Sequence, residues 1–165
     1  MHRDILEQLY ISYYPIAFVY TLSLCRQKEL AEDIVSQAFE KALISLSDSR
    51  QDFKYWLLAV CKHLWIDTLR KNKHIADATV EETDCYTTED GLEGILKNEI
   101  SQQIYLGIQS LKKQYQEILI LHYYAEMSLI DISKLLHISY GSTKTLICRA
   151  RASLRKYMEE NGYEL

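Results

Sequence analysis

Residues 128–157 read SLIDISKLLHISYGSTKTLICRARASLRKY, and this stretch decides the fold. Ser128 followed by Asp131 has the form of a capping box, which begins a helix by satisfying free backbone N–H groups. After a turn at residues 137–139, Ser139 can cap a second helix. That helix places its expected buried positions at steps of four and three: Thr143, Ile147, Ala150, Leu154 and Tyr157. A short helix, a tight turn and a longer helix predict a helix-turn-helix.

The second helix of this motif is the expected DNA-reading element, because it enters the major groove with its first residues at the base edges. Those residues are small, polar or basic, with a cysteine one turn further on: Tyr140, Ser142, Thr143, Lys144, Thr145 and Cys148. Residues 141–157 also hold five cations and no acid, which can neutralise phosphates and release counterions. The five are Lys144, Arg149, Arg151, Arg155 and Lys156. A basic solvated face on an ordinary helical hairpin is the open alternative.

Residues 5–46 are predicted to form two helices. The first shows the stripe of one buried face at Ile5, Leu9, Tyr13, Ile16 and Tyr20. Pro15 lies inside that pattern and should kink or interrupt the helix. The second repeats the spacing at Val35, Phe39, Leu43 and Leu46. A third helix should begin near Asp52, a plausible N-cap, and carries Phe53, Leu57, Val60 and Leu64 at the same spacing.

The third predicted helix mixes aromatic and cationic side chains, which suits single-stranded DNA because bases stack on rings and the backbone follows the charge. The mixed residues are Tyr55, Trp56, Trp65, Lys62, His63, Arg70, Lys71 and Lys73. Trp56 lies near the buried stripe and favours a core role, whereas Trp65 fits either role. Asp67 is the acid of this stretch, and its simplest role is a pairing with Arg70 or Lys71.

The charge distribution divides the chain into three parts. The chain has a net charge of −4, and residues 1–75, 76–100 and 101–165 carry net charges of +1, −7 and +2. Helical periodicity is lost in the acidic part and returns at Ile104, Ile108 and Leu111. We therefore predict an all-α chain of two small helical domains, residues 1–75 and 101–165, joined by an acidic flexible linker at residues 76–100.

Several classes of function are not expected from this composition. The four cysteines contain no CxxC pair and the histidines lack metal-ligand spacing, which predicts reduced thiols and no metal site. The cysteines are Cys25, Cys61, Cys85 and Cys148. The absence of a glycine-rich phosphate loop and of a nucleophile–base arrangement argues against an enzyme, a cofactor or a small-molecule substrate. The sequence also lacks a signal peptide and an apolar run of about 20 residues, so we expect a cytoplasmic protein without membrane insertion.

With its helix-turn-helix and its aromatic, cationic helix, the chain resembles the extracytoplasmic-function sigma factors, the smallest members of the sigma-70 class. Residues 31–43, AEDIVSQAFEKAL, look like region 2.2, which binds the clamp helices of core RNA polymerase. The stretch from Phe53 and Trp56-Leu57 through residues 66–71, IDTLRK, is similar to regions 2.3 and 2.4, which melt and read the −10 element. Residues 128–151 look like region 4.2, which reads the −35 element. The resemblance covers nearly the whole chain in the family's order.

The resemblance implies a role for three sets of residues. Core polymerase would bind Asp33, Gln37 and Phe39; the first two lie one helical turn apart, and Phe39 can equally be core. The −10 element would meet Lys62, His63, Trp65, Asp67, Arg70, Lys71 and Lys73. The −35 element would meet Tyr140, Ser142, Thr143, Lys144, Thr145, Cys148, Arg149 and Arg151. The expected partners are core RNA polymerase and promoter DNA. The resemblance also implies an anti-sigma factor, because members of the family are commonly held inactive by one.

Some positions depart from the family pattern and leave the promoter sequence open. His63 stands where the family usually has asparagine, and Leu146 where a basic residue is common. His137 replaces a usual turn glycine, although histidine tolerates a left-handed turn better than most residues. Tyr140 and Cys148 are also unusual at their positions.

Three further alternatives stay open at this level. The acidic linker either threads the polymerase near its RNA path, as the resemblance implies, or serves only as a solvated tether. A helix-turn-helix repressor or activator would bind palindromic half-sites as a dimer, without polymerase. A helical adaptor with no DNA role would leave the five cations of the second helix unexplained.

Overall fold

The computed structural model describes residues 3–45, 52–75 and 98–164, and every regular element within those ranges is helical. The chain divides into two compact units, Met1–Thr87 and Thr88–Leu165. The prediction of an all-α chain with two helical domains is therefore confirmed. Most of the acidic stretch, residues 76–97, lies outside the described residues. Within the described ranges, no helix is both long enough and apolar enough to cross a bilayer.

The described part of the first unit consists of three helices that pack against one another: α1 (Arg3–Cys25), α2 (Lys28–Ser45) and α3 (Phe53–Ile75). Helix α1 ends at a left-handed residue, Arg26, whose φ is 55° and whose N–H donates to the carbonyl oxygen of Leu22 at 2.8 Å. This tight ending lets α2 begin two residues later and return along α1. The two helices predicted within residues 5–46 are thus confirmed.

Two details of the first pair of helices differ from the predictions. Helix α1 runs unbroken through Pro15, so of the two predicted outcomes, a kink or an interruption, the interruption is wrong. The proline leaves the carbonyl of Ile11 without an N–H donor, and because Ile11 is exposed, water can reach that turn. Leu43 is 52 % exposed, because the buried stripe of α2 lies to one side of it. That stripe is Ala31, Ile34, Val35, Ala38, Phe39 and Ala42, and the predicted Leu46 lies outside the described residues.

Helix α3 begins at Phe53, as predicted from the capping position of Asp52. The N–H of Trp56 donates to the carbonyl oxygen of Asp52 at 2.9 Å, which is the first bond of the helix. Phe53 is buried and its ring lies 6.0 Å from the ring of Phe39 and 5.6 Å from that of Tyr13, measured between centroids. An aromatic cluster therefore joins all three helices of this unit.

Residues 98–164 of the second unit form four α-helices and one π-helical segment. They are α4 (Glu99–Ser110), α5 (Lys113–Leu119), a π-helical segment (Ile120–Tyr124), α6 (Leu129–Leu136) and α7 (Tyr140–Glu160). Helix α4 begins two residues before the predicted domain start at residue 101, because the side chain of Asn98 caps it by accepting from the N–H of Ser101 at 2.8 Å. Of the three positions predicted for this return of periodicity, Ile108 is fully buried, whereas Ile104 and Leu111 are half-buried.

Helix α7 is the longest element of the second unit and contacts α4, α5 and α6. It packs tightly on α4 at Gly107, where an added Cβ would lie 2.8 Å from Cδ1 of Tyr157 and 2.9 Å from Cδ1 of Leu154. The absence of a side chain at Gly107 therefore sets the distance between α4 and the C-terminal half of α7. The N-terminal half of α7 is left to extend beyond this contact with its outer face in solvent.

Candidate nucleic-acid interface

The turn between α6 and α7 has the geometry of a helix-turn-helix. The hydroxyl of Ser128 accepts from the N–H of Asp131 at 3.1 Å, so the cap predicted at Ser128 is confirmed. The same hydroxyl donates to the carboxylate of Asp131 at 2.9 Å, in place of the backbone N–H that donates in a full capping box. His137 ends α6 in the left-handed region with a φ of 55°, as expected for a residue replacing glycine. Ser139 then caps α7 by accepting from the N–H of Ser142 at 3.0 Å. The chain thus reverses within three residues.

The outer face of the first turns of α7 exposes most of the predicted base-reading residues. They are Tyr140, Ser142, Lys144, Thr145, Cys148 and Arg149. The ammonium of Lys144 lies 4.9 Å from the ring centroid of Tyr140, so the cation is held over an aromatic face at the start of the helix. The hydroxyl of Thr145 is bonded to the carbonyl of Gly141 at 3.2 Å. These residues lie together on one solvent-facing surface.

Thr143, which was also expected to read bases, does not lie on this exposed surface of α7. Its side chain is 0 % exposed, and its hydroxyl donates to the carbonyl oxygen of Ser139 at 2.9 Å. The position repeats with Ile147 and Ala150 on the buried stripe of α7, so Thr143 serves the core and the cap of the helix. The prediction that Thr143 faces the groove is corrected for this reason; its place in the buried stripe, predicted from the same spacing, is confirmed.

The five cations of α7 fall into two rows along the helix. Lys144, Arg151 and Arg155 follow one flank at steps of seven and four, and Arg149 and Lys156 follow the other at a step of seven. Lys156 also forms an exposed ion pair with Glu160 at 3.9 Å, which offsets part of its charge. Arg149 is left as an exposed cation beside the base-reading face.

Arg151 is also engaged within the protein. Its Nε donates to the phenolic oxygen of Tyr123 at 2.5 Å, and its Nη2 lies 3.4 Å from Nε2 of His122. Both partners belong to the π segment, whose extra residue per turn carries them toward α7. Arg151 and Arg155 also border a groove of about 420 Å³. Hydrophobic spacing gives no signal for a π-helical turn, so the sequence did not predict this cluster.

The predicted single-strand residues line the outer surface of α3. Residues Tyr55, Lys62 and Lys73 follow one row at steps of seven and eleven, while His63, Asp67 and Arg70 follow the next at steps of four and three. Of the residues expected to meet the −10 element, His63, Asp67, Arg70, Lys71 and Lys73 are exposed, and Lys62 and Trp65 are half-buried. The carboxylate of Asp67 lies 3.8 Å from the guanidinium of Arg70, so the i,i+3 pairing predicted for Asp67 is confirmed.

Trp56 is half-buried and stacks on Phe53, with ring centroids 5.9 Å apart and an interplanar angle of 29°. One face of the indole therefore packs on the aromatic core, in keeping with the core role favoured for it. Trp65, nine residues on, lies beyond the ring contacts of that cluster and keeps part of its surface in solvent.

The predicted polymerase-docking residues separate into two groups. Asp33 and Gln37 are both exposed, one turn apart on α2, as expected. Phe39 is 5 % exposed, with its ring centroid 4.8 Å from that of Tyr10, so the alternative that it is core is correct and its docking role is withdrawn. Ile44 continues the row of Asp33 and Gln37 and is 86 % exposed. Ile44 is not among the predicted docking residues, although an isoleucine on a polar helical face is a recognisable signal.

Comparison with known proteins agrees with this arrangement. Residues 9–75 match the family described as Sigma-70 region 2, and residues 101–154 match Sigma-70, region 4. The chain is 34 % identical over 142 residues to the ECF RNA polymerase sigma factor SigW of Bacillus subtilis, covering 79 % of this chain and 76 % of that protein. The chain belongs to the extracytoplasmic-function sigma factors of the sigma-70 family.

Further relatives of this sigma factor cover nearly its whole length. It is 29 % identical to the RNA polymerase sigma factor YlaC of Bacillus subtilis, over 99 % of this chain and 97 % of that protein. Its fold is similar to that of the sigma factor RpoE of Bartonella quintana, solved with the anti-sigma factor NepR. That likeness has a TM-score of 0.69 at 20 % identity and covers 96 % of this chain and 98 % of the other.

Membership of this family establishes the general function of the chain and assigns a sigma region to each unit. A sigma factor directs the initiation of transcription by binding core RNA polymerase and recognising promoter DNA. The region 2 match spans most of α1 and all of α2 and α3, whereas the region 4 match spans α4 to the middle of α7. The helix-turn-helix therefore lies in region 4 of this sigma factor, and the aromatic, cationic helix α3 lies in region 2.

Proposed function

We propose that this sigma factor divides promoter recognition between its two helical domains, with residues 101–165 reading the −35 element as duplex and residues 1–75 capturing the opened −10 element. The observation that carries the proposal is the exposed face of α7, where Lys144 and Arg149 flank small polar side chains. Duplex DNA offers its donor and acceptor code in the major groove, which accepts such a helix. Thr143 is left out of the proposed contacts because it is buried.

The −10 element is assigned to the outer surface of α3. Unstacking a base costs a few kcal/mol, and a protein offsets that cost by stacking the base on a ring and following the strand with cations. Trp65 provides a partly exposed indole, and Lys62, His63, Arg70, Lys71 and Lys73 provide donors or positive charge along the same helix. Asp67 would act through Arg70, whose guanidinium it holds at 3.8 Å.

Docking on core polymerase is assigned to the outer face of α2. Asp33 and Gln37 are polar, exposed and one turn apart, so they serve no purpose in the core of the domain. Ile44 adds an exposed apolar side chain to the end of the same row, where it would be covered in a complex. The proposal thus combines a carboxylate, an amide and an apolar anchor on one surface.

The acidic linker, the cellular compartment and a further protein partner complete the proposed function. Residues 76–100 would join the domains as an acidic tether, either within the polymerase channel or in solvent. The protein would act in the cytoplasm, where core polymerase is, without catalysis, cofactor or small-molecule substrate of its own. An anti-sigma factor is a further proposed partner, supported by the fold likeness to RpoE of Bartonella quintana, which was solved with NepR.

Transcription with purified core polymerase tests the proposal. Run-off reactions on a randomised promoter library should yield an enriched promoter only when this protein is present. Lys144→Ala and Arg149→Ala should each reduce transcription from that promoter, whereas Asp33→Ala combined with Gln37→Ala should reduce co-purification with core enzyme. Lys28→Ala, at the opposite end of α2 from Ile44, is the matched control for the docking surface. Undiminished transcription in both α7 variants would contradict the −35 assignment.

A gel-shift separates this proposal from a helix-turn-helix repressor. The sigma factor should shift the enriched promoter weakly alone and strongly with core polymerase. A repressor would bind duplex tightly as a dimer and gain nothing from core enzyme. Tight binding by the pure chain, unchanged by core polymerase, would overturn the proposal.

A further inference from the structure

The side chain of Arg151 is tied to the π segment by two kinds of contact with Tyr123. Its Nε–H donates to the phenolic oxygen at 2.5 Å, and the guanidinium carbon lies 5.6 Å from the ring centroid. That distance is within the range of cation–π attraction. Tyr123 itself is 51 % exposed, so the core does not hold it and Arg151 is its described polar partner. The two side chains therefore fix one another at the surface of the domain.

His122 extends this contact to the beginning of α6. Its Nδ1 lies 3.0 Å from the carbonyl oxygen of Met127, and its Nε2 lies 3.4 Å from Nη2 of Arg151. A carbonyl only accepts and a guanidinium only donates, so the ring must carry its proton on Nδ1 and offer a lone pair at Nε2. His122 thus passes a hydrogen-bonded connection from Met127 to Arg151.

The Arg151 cluster, which comprises Arg151, Tyr123 and His122, joins three segments of the second unit. Met127 immediately precedes Ser128, the cap of α6; His122 and Tyr123 belong to the π segment; and Arg151 lies three turns into α7. A connection from the start of α6 to the middle of α7 spans the turn of the helix-turn-helix from outside. The angle between α6 and α7 decides where the exposed residues of α7 fall in the groove.

We propose that Arg151 is a positioning residue for −35 recognition, which orients α7 through Tyr123 and His122 instead of contacting DNA. This inference rests on the function proposed above and corrects the direct DNA contact first expected of Arg151. The position of Arg151 on the helix supports the assignment. It lies next to the buried Ala150 and one turn before the half-buried Leu154, on the flank of α7 that meets the π segment. Arg149 and Cys148 lie farther round the helix, toward the face opposite the core.

The charge and the hydrogen-bonding fork of Arg151 can be tested separately. Arg151→Lys keeps the positive charge but loses the rigid fork whose Nε and Nη2 face Tyr123 and His122 separately, because an ammonium is a point charge on a flexible stem. Tyr123→Phe keeps the ring and removes only the oxygen that accepts from Nε. Lys144→Ala is the matched control, since it removes a cation expected to meet phosphate.

The experiment uses holoenzyme reconstituted from the full chain and core polymerase. Its probes are the promoter enriched from the randomised library and the same fragment with a scrambled −35 element, bound over a series of salt concentrations. We expect Arg151→Ala, Arg151→Lys and Tyr123→Phe each to lower the preference for the intact −35 element roughly three- to tenfold. Arg151→Ala combined with Tyr123→Phe should lower this preference no further than Arg151→Ala alone, because both changes break the same connection.

The salt dependence distinguishes positioning from contact. A lost phosphate contact lowers the slope of log affinity against log salt by about 1, as expected for Lys144→Ala. The slope should not change in the three cluster variants if Arg151 acts through Tyr123. A reduced slope in Arg151→Ala that lysine restores, or Tyr123→Phe binding like the wild type, would overturn the inference. Circular dichroism of each variant verifies the fold, and failure of the wild-type chain to join core enzyme would instead contradict the proposed function.

Discussion

The side-chain amide of Gln116 donates a hydrogen bond to the carbonyl oxygen of Leu111 at 2.6 Å and a second to that of Gln109 at 2.8 Å. Gln116 is 2 % exposed, although it is a polar residue in a short helix. Its partners are the carbonyls at the end of α4, which have no N–H donor within that helix. One buried glutamine therefore closes the turn between α4 and α5 and brings α5 into position beneath α7.

Replacing Gln116 should destabilise the second unit. Gln116→Met keeps the length of the side chain but leaves two carbonyls without a donor, at a cost of about 1–3 kcal/mol. Gln102→Met, on the exposed face of α4, is the matched control and should be neutral. Thermal unfolding followed by circular dichroism measures both changes. Both tryptophans, Trp56 and Trp65, lie in the first unit, so a fluorescence midpoint that shifts as far as the dichroism midpoint would contradict a local effect.

Gly107 should tolerate no side chain without movement of α7. Gly107→Ala puts a Cβ 2.8 Å from the ring of Tyr157, and overpacking of this kind costs about 1–3 kcal/mol. The gain in helix propensity, about 1 kcal/mol, offsets only part of it. Gly141→Ala is the control, because nothing lies within 4 Å of its Cβ position and its backbone is helical. Urea unfolding should therefore show opposite signs for the two substitutions, and a stabilised Gly107→Ala would contradict the close packing described.

The helix-turn-helix could be predicted from sequence because its determinants are local. The cap at Ser128, the cap at Ser139 and the spacing of the α7 stripe each depend on residues within four positions of one another. The site residues were harder to assign, since Thr143 suits both the groove and the core by residue type. Only the register of α7 against its neighbours decides, and it places Thr143 on the buried face.

Features that depend on tertiary packing were not predictable in this way. Phe39 and Leu43 belong to one predicted stripe, yet Phe39 is buried and Leu43 is 52 % exposed, a difference that spacing alone does not reveal. The π segment escapes prediction because one extra residue in a turn leaves no periodic trace. Without it, nothing in the sequence relates Tyr123 to Arg151, which lies 28 residues further along the chain.

The stability of the first unit should fall at alkaline pH through Cys61. Burial raises the pKa of this thiol to about 11, with the Thr21 hydroxyl opposing part of the effect. A pKa that is higher in the folded state disfavours the thiolate there, so the stabilisation is complete below the unfolded pKa and is lost as the pH rises from about 9 to about 11. Desolvation of this size corresponds to about 2–3 kcal/mol.

Cys61→Ala removes this titration and provides the measurement. Urea unfolding followed by tryptophan fluorescence should show the free energy of unfolding falling by about 2–3 kcal/mol more in the wild type than in Cys61→Ala between pH 8 and pH 11. Tyrosines and lysines titrate in both proteins, so only the difference between the two curves is informative. Cys148→Ala, at an exposed thiol, is the control and should follow the wild type. Parallel curves for the wild type and Cys61→Ala would contradict the assignment.

His137 should be replaceable by glycine with a gain in stability. Its φ of 55° places it in the left-handed region, where a side chain costs about 1–2 kcal/mol and glycine avoids this steric cost. The turn itself is secured by the N–H of Ile138, which donates to the carbonyl oxygen of Ser133 at 3.1 Å and survives either substitution. We expect His137→Gly to stabilise the second unit by about 0.5–1 kcal/mol, after the larger chain entropy of unfolded glycine is deducted. His137→Val should destabilise it by about 1–2 kcal/mol, because a β-branched side chain suits this backbone least. Thermal unfolding by circular dichroism measures both, and equal midpoints for glycine and valine would show that the turn leaves the left-handed region in solution.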